Sequence, residues 1–158
     1  MRLHVVSDVH GSTAELARAA DGADALVCLG DLVLYLDYAD PARGVFADLF
    51  GAENAAYFIE LRTAGRFADA HAWSARMWDD VVAREGKERS VLVEERVRAQ
   101  YAELFGAMPE PAYLTYGNVD VPRYWADYLQ PGHTVLDGQV RADCAARMWT
   151  LSRGNVLF

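Results

Sequence analysis

Leu3 to Ser7 is a short apolar, β-branched run that stops at Asp8, and Ala25 to Leu29 repeats the pattern and stops at Gly30-Asp31. Runs that are apolar on both faces read as buried parallel strands. Between them Ser12-Thr13-Ala14-Glu15 has capping-box spacing, Leu16, Ala17 and Ala20 form an apolar stripe, and Gly22 stands where a helix would end. The three segments predict a β-α-β unit. A right-handed crossover leaves its strands parallel, with Asp8 and Asp31 on one edge of the sheet. That edge is where open α/β sheets bind ligands.

From about Tyr38 to Met108 the texture changes to alanine, aromatics and charges at helical spacing, which predicts a helical insertion. Phe67, Ala70, Met77, Trp78 and Val81 share one helical face, and Val93, Val97, Tyr101, Leu104, Phe105 and Met108 share another. Gly65 and Gly86 punctuate these helices, and the aromatic stripe reads as inter-helix packing. Pro109-Glu110-Pro111 stops the last helix. Ala112 to Tyr116 then reads as a third strand, followed by the loop Gly117-Asn118-Val119-Asp120. Pro122 starts a short aromatic helix, and His133 to Leu136 predicts a fourth strand closed by an Asp137-Gly138 turn. From Arg141 to Phe158 neither period persists, and that stretch reads as an unpatterned tail behind a domain of residues 1–140.

The composition, 53% hydrophobic and 24% charged over 158 residues, is that of a soluble globular protein rather than a disordered one, and the chain is large enough for a real core. Cys28, inside an apolar run, and Cys144, in the polar tail, read as reduced thiols. No apolar run is long enough for an export signal or a membrane span, so a cytoplasmic location is expected. Lys and Arg total 15 against 23 Asp and Glu, a net charge of −8 that repels nucleic acid and anionic membranes. A small phosphate ester is not excluded, because bound cations invert the local field.

The chemistry-bearing residues gather at predicted strand ends: Asp8-Val9-His10-Gly11 after the first, Gly30-Asp31 after the second, Gly117-Asn118-Val119-Asp120 after the third. Carboxylate and amide oxygens suit hard divalent ions, and an imidazole nitrogen adds affinity for Fe, Mn, Ni or Zn. Glycine at each loop lets the backbone turn tightly and approach a bound phosphate. Each signal alone is commonplace. Their order, D-x-H, then G-D, then G-N-x-[DE], is not.

In these motifs, over Met1 to about Leu136, the chain resembles the calcineurin-like metallophosphoesterase superfamily. The resemblance implies an α/β/β/α sandwich of which this chain encodes only the first α/β half, with a helical insertion at about 38–108. It also implies two divalent metal ions (Mn, Fe, Ni or Zn) that hydrolyse a small phosphate ester. Asp8 and His10 are then ligands of the first metal, Asp31 bridges both, and Asn118 binds the second. Asn118 and Asp120 are the expected catalytic residues, Asp120 acting by orienting its neighbours. Val119 stands where the family often has a His that protonates the leaving group. The family's later Gly-His and Gly-His-x-His motifs have no counterpart: no His follows Gly138, and Pro131-Gly132-His133 only mimics the first of them. His4 reads as a satisfied strand residue and His71 as a surface or packing residue.

Truncation, with an out-of-frame or otherwise non-native tail, is the expected reason. A sheet left without its partner is expected to self-associate, and phosphatase activity of the isolated chain is expected near background. Two rival classes stand beside the phosphoesterase: a catalytically inactive remnant or single-metal-binding module using Asp8, His10 and Asp31, and an unrelated Rossmann-like binding domain. Against the last, no G-x-G-x-x-G follows the first strand.

Overall fold

In a computed structural model, which describes residues 1–136, four short parallel strands form one sheet in the order β1-β2-β3-β4. They are β1 (Leu3–Val6), β2 (Ala25–Cys28), β3 (Ala112–Leu114) and β4 (His133–Val135). All four lie where the apolar runs predict them, each one or two residues shorter. Pairing continues past the formal ends, as Leu29 N donates to Val6 O (2.8 Å) and Thr115 N to Cys28 O (2.9 Å). The Asp137-Gly138 turn, Cys144 and the tail lie outside the described residues. The described residues hold one sheet.

Helix α1 (Thr13–Arg18) follows β1, and α2 (Val45–Phe50), α3 (Ala52–Thr63), α4 (Phe67–Glu85) and α5 (Arg89–Ala107) separate β2 from β3. A 3₁₀ helix at Pro122–Asp127 separates β3 from β4. The capping box expected at Ser12 does not form. The turn through His10 and Gly11 bonds Ser12 N to Val9 O at 2.9 Å, and Thr13 Oγ1 instead reaches Gly11 O at 3.3 Å. α1 also ends at Arg18, so Gly22, with φ of 76°, turns the chain four residues beyond the helix rather than capping it.

The period-two pattern decides which sheet face is covered. The register stacks His4, Leu26, Ala112 and His133 in one row and Val6, Cys28, Leu114 and Val135 in the next. Both rows lie on the face that helices cover. Val97, Tyr101, Leu104 and Phe105 of α5 enter the same buried cluster as Leu26, Cys28 and Leu114, and α1 packs beside α5. The stripe read from Val93 to Met108 is therefore the helix that carries the chain across the sheet from β2 to β3, and it builds the core. Trp125 of the 3₁₀ helix closes this core against Phe105, with ring centroids 5.5 Å apart.

The other helices are held by aromatics. Phe46 stacks on Phe58 at 4.5 Å and Phe50 meets Trp78 edge-on at 4.9 Å, joining α2 to α3 and α4. Phe67 is the exception to the predicted face, being 63% exposed. His4 sits in the sheet with its Nδ1 2.8 Å from Ala19 O, and His71 is exposed on α4. His133 is buried beside Phe105, and its Nδ1 accepts a hydrogen bond from Gln130 N (3.1 Å). As the first residue of β4 it lies at the opposite sheet edge from Asp8 and Asp31.

On the second face the row Val5, Val27, Tyr113 and Thr134 contributes nothing to the buried cluster that the helices build among the described residues. Val5 is 60% exposed and Tyr113 38%, although flanking Ala25 is buried.

Candidate metal and phosphate cleft

The loops after β1 and β2 are zipped together. Asp8 N donates to Gly30 O (3.2 Å), His10 N to Asp31 O (2.9 Å) and Gly11 N to Leu32 O (2.8 Å), which extends the parallel ladder beyond the sheet. The loop after β3 closes on them from the other side. Gly30 has φ of 97°, and a Cβ there would strike the backbone nitrogen of Gly117. A Cβ on Gly117 would in turn strike the carboxylate of Asp31. Only two glycines let these backbones come so close.

Asp120 ties the junction. Its carboxylate accepts from Asp31 N (2.8 Å), Leu32 N (3.0 Å) and Gly117 N (2.9 Å). The Tyr101 hydroxyl adds a fourth donor at 3.3 Å while accepting from Val121 N at 2.7 Å. Burial first, and the Asp120 charge further down, push the Tyr101 hydroxyl pKa well up, so it keeps the proton it donates. With both oxygens spent on neighbours, Asp120 shapes the loops that carry Asp31 and Asn118.

Among the described residues the non-glycine positions with positive φ are Asp8 (55°), His10 (43°) and Asp31 (55°). Side chains other than glycine rarely adopt this conformation, and holding it costs on the order of 1–3 kcal/mol per residue. All three are residues that the sequence motifs single out as ligands.

His10 presents one free nitrogen. Its Nδ1 lies 3.3 Å from Val33 O, a carbonyl that can only accept, so Nδ1 carries the proton and Nε2 of the neutral ring keeps its lone pair. Nε2 is 3.6 Å from Asp8 Oδ1. Two donor atoms each roughly 2.0–2.2 Å from one ion, at a near-tetrahedral angle, are separated by about this span. The Asp8 and His10 side chains are 66% and 42% exposed, so solvent screens what passes between them and the backbone sets the geometry.

Asp31 does not complete this pair. Its Oδ1 accepts from Val119 N (3.1 Å), which turns the carboxylate toward the third loop. Among the described residues no three His, Cys, Asp or Glu side chains gather closely enough to hold an ion. Asn118 is exposed on the third loop, and Val119 reaches the cleft. The residues present therefore bring two donor atoms, Asp8 Oδ1 and His10 Nε2, within reach of one ion, while a bridge through Asp31 needs its carboxylate released from Val119 N.

The cleft over this pair measures about 510 Å³ and is lined by Asp8, His10, Asp37, Arg43, Arg62 and Val119, among others. Asp37 went unnoticed in the sequence. Its carboxylate accepts from Ala39 N (2.8 Å) and Asp40 N (3.0 Å) and faces Arg43 at 3.3 Å. The backbone donors foremost, then Arg43 and the nearby His10, hold its pKa below the usual 3.8. The Asp37-Tyr38-Ala39-Asp40-Pro41 stretch is a recognisable Asx-turn signal. Gln100 was missed because it lies beside the apolar stripe of α5. It grips both backbone groups of Leu34, accepting from its N at 2.9 Å and donating to its O at 3.0 Å. That clamp fixes the segment leading from Asp31 to Asp37.

No family model matches the chain, and no curated protein or solved structure matches it significantly. No helix among the described residues is long and apolar enough to cross a membrane.

Proposed function

We propose that the described residues form the first α/β half of a calcineurin-like metallophosphoesterase sandwich, and that the cleft binds divalent metal and hydrolyses a small phosphate ester. The observation that carries this reading is backbone conformation: the residues with disfavoured positive φ are Asp8, His10 and Asp31, and such strain concentrates at working sites. Asp8 and His10 would hold the first ion through Oδ1 and Nε2, and Asp31 and Asn118 would contribute to a second. A bound divalent ion supplies Lewis-acid polarisation of the phosphoryl oxygens. Asp120 holds the loops of Asp31 and Asn118 at a fixed spacing. Val119 offers no proton to the leaving group, so esters with acidic leaving groups are the better substrates.

A second reading is favoured by the turned-away carboxylate of Asp31. In it the chain is a single-ion module built on Asp8 and His10 and lacks turnover. Metal analysis of the purified chain separates the two. Two equivalents of Mn, Fe, Ni or Zn, with aryl phosphate hydrolysis lost in Asp31→Asn, support the hydrolase; one equivalent without turnover supports the module; no metal removes both and leaves a Rossmann-like binding domain. On the hydrolase reading the bare sheet face also provides a surface for self-association.

A further inference from the structure

The insertion brings a cation to the cleft. Arg62, near the C-terminal end of α3, lines the same cleft as Asp37, Arg43, Asp8 and His10. The carboxylates, the imidazole and the other guanidinium of the cleft each have a partner already. Arg43 and Asp37 offset each other at 3.3 Å. Asp37 is further engaged by two backbone N–H groups. Asp8 and His10 face each other at 3.6 Å.

Arg62 is different. Its guanidinium lies 5.8 Å from the Phe58 ring centroid and 6.0 Å from that of Phe67. Among the described residues it has no carboxylate or carbonyl partner. Two rings place the charge without consuming its donors, since cation–π attraction leaves the planar N–H fork free. They also explain Phe67, whose exposure on an otherwise buried face has no packing reason. A guanidinium held this way, with its donors open in a cleft, is suited to a phosphate or carboxylate, which it engages bidentately. In a chain with net charge −8 such an anion has few other places to bind.

We infer that Arg62 is a specificity residue for a second anionic group, so that the cleft takes phosphate esters carrying another phosphate in addition to the one near Asp8 and His10. This rests on the phosphoesterase reading for the ester itself, but the anion contact is a separate property and is tested separately. The probes are inorganic pyrophosphate and inorganic orthophosphate, titrated calorimetrically into the full chain equilibrated with Mn²⁺. Pyrophosphate should bind more tightly than orthophosphate. Arg62→Gln should weaken pyrophosphate roughly tenfold, the scale of one charge-assisted contact, and orthophosphate less than twofold. Arg62→Lys should recover part of the loss.

Arg76→Gln is the control, because Arg76 also rides on an aromatic ring, Trp73 at 5.1 Å, yet lines a different pocket. It should leave both affinities unchanged. Pyrophosphate binding that survives Arg62→Gln, fails in the wild-type chain, or weakens equally in Arg76→Gln overturns the assignment. Selective loss in Arg62→Gln upholds it even if no ester is turned over, in which case only the hydrolase reading falls.

Discussion

Asp8, His10 and Asp31 have positive φ, and the residue types explain how they can: Asp, Asn and His tolerate this region better than other side chains. On the hydrolase reading three neighbours bear on reactivity: Asp37, which lines the cleft with His10, Asp120, which spaces the loops, and Val119, which offers no proton. Asp37 makes a pH prediction. Its folded-state pKa lies below 3.8, so its contribution to stability is present above about pH 4 and is lost as the pH falls through the lower folded value. Urea unfolding between pH 5 and pH 2 should therefore show a steeper acid-side loss in the wild type than in Asp37→Asn, with parallel curves counting against it. Val119→His supplies the missing proton donor, and its backbone N–H can still reach Asp31. On the hydrolase reading it should speed hydrolysis of esters with poor leaving groups by up to roughly 10²-fold, with little effect on good ones. Equal effects across a leaving-group series would assign the change to something other than proton transfer.

At the scale of the elements, the sheet is asymmetric, and substitutions should register it. Leu114 is fully buried beneath α5, so Leu114→Ala should cost about 2–5 kcal/mol by chemical denaturation. Val5, on the opposite face of a neighbouring row and 60% exposed, should tolerate Thr within about 0.5 kcal/mol. Similar losses at both would mean that the second face is covered after all. The strands were legible in the sequence because short apolar runs that stop at Asp8, Gly30-Asp31 or Gly117-Asn118 have few other readings. The α5 stripe was equally clear, since Val97, Tyr101, Leu104 and Phe105 hold helical spacing through a charged background. What the pattern could not convey was that α5 is the crossover helix of the sheet and not part of a cap. Periodicity gives a buried face but not what buries it. The motif residues were legible as a set at one edge, while the Asp120 knot, the Gln100 clamp and the turned Asp31 carboxylate depend on side chains meeting across about 20 to 90 residues. No local pattern encodes those contacts.

For the whole molecule, the decisive quantity is the uncovered apolar surface. Leu3, Val5 and Tyr113 are 44%, 60% and 38% exposed on one sheet face, and Leu29, just past β2, is 41% exposed. A contiguous patch of a few hundred square ångströms is the scale at which soluble chains begin to associate. A net charge of −8 opposes this by repulsion, which salt screens over about 10 Å at 0.1 M. Association should therefore rise with salt, as expected of apolar contact between like-charged chains. Sedimentation velocity of the full chain at low and at 0.5 M salt should show a shift toward larger species in the second condition. Val5→Lys with Tyr113→Lys places charge in the centre of the patch and, because both side chains are exposed, should abolish the shift while leaving the far-UV circular dichroism unchanged. A wild-type chain that stays monomeric in both salts would show that this face is not adhesive, and the expectation of self-association would fall with it.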